Sequence, residues 1–436
     1  MLIVGLKQII LSSVHRKQLL VLLVAAVLIF LATKRHALWT ENDPSSVEPK
    51  ATDRKPEEGA VGADVSRGGH KDGTHQQAAF NASALQASKE RLKQPGLGPA
   101  IAENKSHSAE PTKEVHHLFF LKVHKAASTT VLNVIYRFAL SRHLVVMLPV
   151  SRLANILSER SKVWTSNAAP LPPGADHFDV LCNHLIFEES SIRRALPKDS
   201  LFVGIVRQPF DQFVSAFWYY REKYNYSYLR KIPGSRPIST YLRNPKLWEP
   251  KETLFTTSRM SIDFGMDPAR VHDKVYVNQY VKYLNDTFHL VMVSDRFDES
   301  ILLMRRLLGW RVRDVIYTKN NARNTFYNQT FTSKEKRTHR DWNPADYALY
   351  EHFAQVLDDK VRAAGQVFRQ EVESFRVICQ AVRDFCRGDS THMPLKVQAT
   401  LWAEEFSVTK EMCDLMTMDE IPFVNLMRRV NGKKHN

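Results

Sequence analysis

Hydrophobic patterning divides the chain into three regions. Leu19–Ala32 is an uninterrupted apolar run, LLVLLVAAVLIFLA, with Arg16 and Lys17 before it and Lys34 and Arg35 after it. At about 1.5 Å per residue the run is short for a membrane span, yet snorkelling lysines and a thin bilayer make it workable. No small-x-small cleavage signal follows it, which favours an uncleaved anchor over a removed signal peptide. From residue 34 to 113 the pattern vanishes: Pro, Gly, Ser, Ala, Lys and Glu dominate, and Trp39 and Phe80 are the only aromatics. Such a segment cannot bury enough apolar area to offset its ordering entropy, so a disordered stem is predicted.

Periodicity resumes at Val115. His117–Lys122 (HLFFLK) is a short apolar run that ends in polar residues, the mark of a buried strand. Residues 123–130 are small and hydroxylic, and apolar positions 131, 132, 135, 138 and 139 then recur at helical spacing. A strand running into a small-residue loop that opens a helix can cradle phosphate. The loop Lys125, Ala126, Ala127, Ser128, Thr129, Thr130 would supply N–H groups, three hydroxyls and one cation, Lys125. An ordinary Ser/Thr-capped helix has the same pattern, and the glycines of a Walker A loop are missing. Ser200–Val206 (SLFVGIV) predicts a second strand, followed by Arg207-Gln208-Pro209 and a helix over 210–218. Arg207 falls at the strand's carboxyl end, where α/β sheets bind ligands, and Pro209 suits the first helical turn. Ser215 lies about two turns into that helix and can share an anion with Arg207. From Tyr347 onward the chain reads as mainly helical, with Trp402, Phe406 and Phe423 packing it back on the core.

Composition adds partners and compartment. The 436 residues are 44% hydrophobic, enough for one large or two medium cores. Fifteen basic and eleven acidic residues precede Glu114, so +4 of the formal +15 lies there and +11 in the remainder. The folded part is therefore the basic part, which favours an anionic partner. The N-x-[ST] sites Asn81, Asn104, Asn225, Asn285 and Asn328 all follow the apolar run and together point to a lumenal C-terminal portion. The resulting layout is a cytoplasmic tail (1–18), a transmembrane signal anchor (19–33), the stem (34–113) and a lumenal domain (114–436), a compartment that disfavours nucleic acid. The four cysteines show neither C-x-x-C nor a zinc spacing with histidine, so no metal is expected, and Cys379 or Cys386 paired with Cys413 is the plausible bridge.

Leu121–Thr130 (LKVHKAASTT) resembles the 5′-phosphosulfate loop of sulfotransferases that use 3′-phosphoadenosine 5′-phosphosulfate (PAPS), and Arg207, Pro209 and Ser215 resemble their 3′-phosphate element. The wording is most similar to the galactose 3-O-sulfotransferase family. Similar stretches are Cys182-Asn183-His184, Phe288–Val293 with Phe297–Ser300, Lys319–Arg323, and Trp342-Asn343 with Asp346, Leu349, Tyr350, His352 and Phe353. The likeness runs from His117 to Phe353 and thins beyond. It departs from the family at Ala126, where Thr is common, and at Gln208, where an acidic residue is usual.

The resemblance implies a P-loop-like α/β domain with a central parallel sheet flanked by helices, behind the single N-terminal transmembrane helix and the stem. It implies PAPS as co-substrate without a metal, a galactose-terminated glycolipid or glycoprotein acceptor, and residence in the Golgi membrane; a homodimer is compatible with it, and the sequence leaves the oligomeric state open. Lys125 would meet the bridging oxygen, Ser128 and Thr129 with the loop N–H groups the 5′-phosphate, and Arg207 and Ser215 the 3′-phosphate. Lys319, Asn320 and Arg323 would add nucleotide contacts. The attacking hydroxyl needs a proton acceptor, for which His184 is expected and His124 is the competitor. A type II glycosyltransferase would share the layout, but the metal-dependent kind uses Asp-x-Asp, which is absent. A non-catalytic carbohydrate-binding protein would use Trp218, Tyr219, Tyr220, Tyr224 and Tyr226, which read rather as core and rim.

Overall fold

The computed structural model describes residues 113–224, 226–250, 255–318, 329–388 and 393–433. The anchor, nearly all of the stem, four of the five glycosylation motifs, and Lys319, Asn320 and Arg323 lie outside the described residues. Among the described residues no helix is long and apolar enough to cross a membrane.

Five strands, β1 (Leu118–Phe120), β2 (Val146–Met147), β3 (Val180–Leu181), β4 (Leu201–Val206) and β5 (Leu290–Val293), form one sheet in the order β2-β3-β1-β4-β5. Every pairing is parallel, and the strands are continuous apolar runs because a parallel sheet is covered on both faces. Gly204 sits mid-β4 where an added Cβ would come within 3.0–3.2 Å of the Phe264 and Phe288 rings. The predicted parallel α/β architecture is therefore present.

Helix α1 (Ser128–Arg142) leaves the β1 loop, and its predicted apolar positions are at most 1% exposed. Helix α2 (Pro209–Trp218) leaves β4 and builds a second, aromatic cluster with Tyr220, Tyr241 and Phe255. Further along come α3 (Arg259–Asp263), α4 (Lys274–Thr287), α5 (Phe297–Leu308), α6 (Ser333–Trp342) and α7 (Pro344–Arg387), the last broken at Gly365, whose φ is 71°. An unpredicted antiparallel hairpin, β6 (Leu395–Val397) and β7 (Phe406–Val408), precedes α8 (Lys410–Thr417) and α9 (Glu420–Lys433).

This C-terminal part docks on α1. Asn133 Nδ2 donates to the Leu415 carbonyl at 2.8 Å, and the Phe423 ring meets Tyr136 edge-on at 5.2 Å. Of the two candidate bridges the structure forms Cys386–Cys413, which ties the end of α7 to α8. Closing a loop of 27 residues constrains the unfolded chain by about 3.5 kcal/mol on an entropic account. Phe406 and Phe423 join the main core as expected, whereas Trp402 is only half-buried and takes no part in it, because it lies in the exposed turn of the hairpin.

His339 makes the fold sensitive to acid. It is 2% exposed, with its Nδ1 3.1 Å from the Tyr347 hydroxyl and its ring 4.6 Å from that of Phe213. Burial pushes its pKa from 6.5 down to about 3. The unfolded chain accepts a proton that the folded ring refuses, so stability is full above the unfolded pKa and is lost as pH falls below it. The loss is about 1.4 kcal/mol at pH 5.5. His339→Gln should reduce the difference in unfolding free energy between pH 7.5 and 5.5 by about that amount in urea titrations; an unchanged pH dependence would contradict the assignment.

Candidate functional site

The loop between β1 and α1 curls without glycine. Lys125 and Ala127 hold left-handed backbone, φ 59° and 60°, on either side of buried Ala126. Such residues cost on the order of 1–3 kcal/mol each and persist only where surroundings over-determine them. Here the Ser128 hydroxyl donates to the Val123 carbonyl at 2.6 Å and closes the loop on itself. Its proton is thereby committed within the loop. No side chain caps α1 at Ala127 and its own first turn holds no acidic residue, so its N–H groups can face an anion, with the Glu420 carboxylate already alongside at Thr129. Thr129 is half-buried, its hydroxyl 3.3 Å from Glu420 Oε2, and Thr130 N–H turns back to Ala127 at 3.1 Å.

The second element meets the first directly. Arg207, immediately after β4, donates from Nη1 to the Lys125 carbonyl at 3.0 Å, and among the described residues it has no carboxylate partner. Lys125 Nζ lies 3.6 Å over the Tyr219 ring, from the turn that follows α2. Ser215 is buried within α2, and Gln208, where the family usually has an acid, caps that helix by accepting from Asp211 N–H at 2.8 Å.

His184 follows β3 and is 8% exposed. Its Nδ1 is 2.8 Å from the Lys122 carbonyl, which can only accept, so Nδ1 carries the proton. Nε2 then accepts from the ammonium of the same Lys122 at 2.7 Å. Burial first, then His124, and then the positive charge of Lys122 and Arg259 hold this imidazole well below its usual pKa and therefore neutral. Lys122 is 2% exposed and is neutralised from the far end of the chain by Glu420 Oε1 at 2.9 Å. Asn155 donates to the same oxygen at 2.6 Å. Asn183, the middle of the Cys-Asn-His motif, is spent on structure: it bonds the Met147 carbonyl and the Tyr136 hydroxyl.

His124 stacks on His184 with centroids 4.0 Å apart. Its Nδ1 lies 2.9 Å from Asp263 Oδ2, its main-chain N–H donates to the same carboxylate, and Nε2 faces Glu159 at 3.3 Å. Asp263 is fully buried; burial would raise its pKa, but the Arg259 guanidinium 2.6 Å away and His124 bring it below the usual range. The turn after Asp263 needs Gly265, φ 85°, where a Cβ would collide with the Phe187 carbonyl. The Trp342-Asn343 motif and Asp346 hold α3 in place: Trp342 Nε1 reaches Thr257, Asn343 takes the Ser258 N–H, and Asp346 takes the Ser261 N–H and hydroxyl.

The β1–α1 loop, Arg207 and both histidines thus come together at the carboxyl ends of β1, β3 and β4, while Ser215 lies buried further along α2. Lys122, Glu159, Arg259, Asp263 and Glu420 were missed by the sequence reading. An Arg-x-x-x-Asp pair at helical spacing was a visible but common signal; Glu420 offered none, since only the fold brings it here. A surface hollow of ≈ 310 Å³ near Arg193, Lys198 and His289 lies at the opposite, amino end of the strands.

The sequence profile of the galactose-3-O-sulfotransferase family matches residues 2–405. Galactose-3-O-sulfotransferase 2 of Homo sapiens is 29% identical over 283 residues, covering 63% of this chain and 69% of that protein. Galactose-3-O-sulfotransferase 3 of Mus musculus is 33% identical over 279 residues, 62% of this chain and 63% of its own length. Galactosylceramide sulfotransferase of Homo sapiens is 28% identical over 296 residues, 67% and 69% respectively.

Glu420 lies beyond the family match, and its loss would strand a buried ammonium. Removing one partner of a buried pair costs about 3–5 kcal/mol, and partial exposure of Glu420 favours the lower figure. Glu420→Ala should therefore lower unfolding free energy by about 3 kcal/mol, and pairing it with Lys122→Met should recover most of that. Chemical denaturation checks this; a single variant as stable as wild type would contradict it.

Proposed function

The chain belongs to the galactose-3-O-sulfotransferase family and is a sulfotransferase, and on that premise we propose that it moves a sulfuryl group from PAPS to the 3-hydroxyl of a terminal galactose on a glycolipid or glycoprotein. The observation that carries the donor assignment is the join between the two anion elements, Arg207 resting on the carbonyl of Lys125. An uncapped helix end, a left-handed loop and a guanidinium without a carboxylate partner among the described residues suit a ligand with a phosphate at each end. PAPS supplies an activated sulfuryl group on a phosphate leaving group, so the protein's task is positioning and charge stabilisation.

Lys125 would leave the Tyr219 face, a contact worth about 0.5–1 kcal/mol, to neutralise charge at the bridging oxygen. The loop N–H groups with Thr129 would hold the 5′-phosphate, and Arg207 with Ser215 the 3′-phosphate. His184 would take the hydroxyl proton on Nε2, the tautomer that the Lys122 carbonyl already fixes, while Lys122 shifts its weight to Glu420. His124, anchored on Asp263, is the second acceptor for that proton. The anchor at 19–33, the lumenal orientation and Golgi residence complete the proposal on sequence grounds.

Transfer of labelled sulfate from PAPS to galactosylceramide and to a galactose-terminated N-glycan tests this. Lys125→Ala and Arg207→Ala should each reduce kcat/KM by about 100-fold or more. His184→Ala should lose kcat while keeping the KM for PAPS. Near-normal kcat in that variant would move the base to His124, and wild-type failure on every galactose acceptor would refute the acceptor assignment.

A further inference from the structure

The amino ends of the central strands carry a cluster that the sulfotransferase chemistry does not use. His117 precedes β1, His177 and Asp179 precede β3, and Asp199 precedes β4. The order β3-β1-β4 makes these three strands neighbours, and the register pairs Leu118 with both Val180 and Leu201. Residues distant in sequence are thus brought to one edge of the sheet, opposite the donor loop.

We propose that His117, His177 and Asp179 bind a divalent transition-metal ion, Zn²⁺ being the best match, as a clasp across the starts of β1 and β3. Their ligand atoms all lie within 4.8 Å of one another. His177 Nε2 is 3.2 Å and His117 Nε2 is 3.6 Å from Asp179 Oδ1. Tetrahedral zinc with bonds of about 2.0–2.1 Å requires ligand atoms about 3.4 Å apart. The two histidine–carboxylate spacings bracket that value, and the two imidazole nitrogens lie within 4.8 Å of each other.

The surrounding bonds fit the same role. His117 Nδ1 lies 2.7 Å from Asp199 Oδ1, so its proton goes to that carboxylate and Nε2 presents a lone pair to the cluster. Asp179 Oδ2 already accepts the Val145 N–H at 2.6 Å, which orients the carboxylate and leaves Oδ1 for the ion. His117 Nε2 faces the carboxylate oxygen of Asp179 at 3.6 Å, a gap that a cation held by both atoms would fill. Coordination through Nε2 would place the ring proton of His177 on Nδ1, which faces away from the ion, and a water would complete four-coordination. His177 is exposed, which gives the ion a path from solvent.

The untagged, detergent-solubilised full chain, stripped with EDTA, is titrated with Zn²⁺ calorimetrically and melted with and without the metal. One tight zinc per chain, a higher melting temperature with zinc, and at least tenfold weaker binding in both His177→Ala and His117→Ala would support the clasp. His177 is at the surface, so its variant should melt like wild type without metal, separating a lost ligand from a lost fold. Absence of binding at micromolar zinc, or binding unchanged in both variants, would overturn it; in the former case the cluster holds only protons.

Discussion

The Lys122 ammonium sits 2.7 Å from His184 Nε2 and 2.9 Å from Glu420 Oε1, almost wholly out of water. An ion in that position costs several kcal/mol unless it is paired and hydrogen-bonded. Its two partners come from the end of β3 and from the C-terminal helix α9, so the requirement to neutralise one charge fixes three segments against each other. The same lysine brackets His184 through its carbonyl, which sets the tautomer, and through its ammonium, which occupies the lone pair. A substrate hydroxyl that reaches His184 therefore competes with Lys122, and Glu420 is the group that can retain the lysine when it yields.

The donor loop is positioned by different means. Its two left-handed residues are not glycines, so the chain accepts local strain to keep Lys125 in the bend. The Ser128–Val123 bond, buried Ala126 and the Arg207 contact over-determine that shape. Behind it, Asn343 and Asp346 anchor α3, which puts Asp263 against His124. The C-terminal segment, fastened by Cys386–Cys413, then delivers Glu420 to the same place.

The strands and helices were legible where a short apolar run met a polar stop. The β1 and β4 units, the loop and Arg207 could be read because each motif is continuous in sequence. Lys122 was hidden in plain view: as the last residue of an apolar run it reads as a strand's polar end, and only the return of Glu420 shows that it is buried. Glu159 and Asp263 belong to the site through tertiary contacts, which no local period encodes. Trp402 departs from the expected inward packing because the stretch that reads as helical forms a hairpin there, and the indole falls in its turn. His117 and His177 escaped notice for the same reason as Glu420: sheet order, not spacing, brings them together.

Calorimetric binding of the full chain to 3′-phosphoadenosine 5′-phosphate, with ADP as control, tests the joined anion site most directly. The structure's account predicts tight binding of the first ligand, weak binding of the second, and loss of the difference in Arg207→Ala. Equal affinity for both ligands in the wild-type chain would contradict a 3′-phosphate site at Arg207.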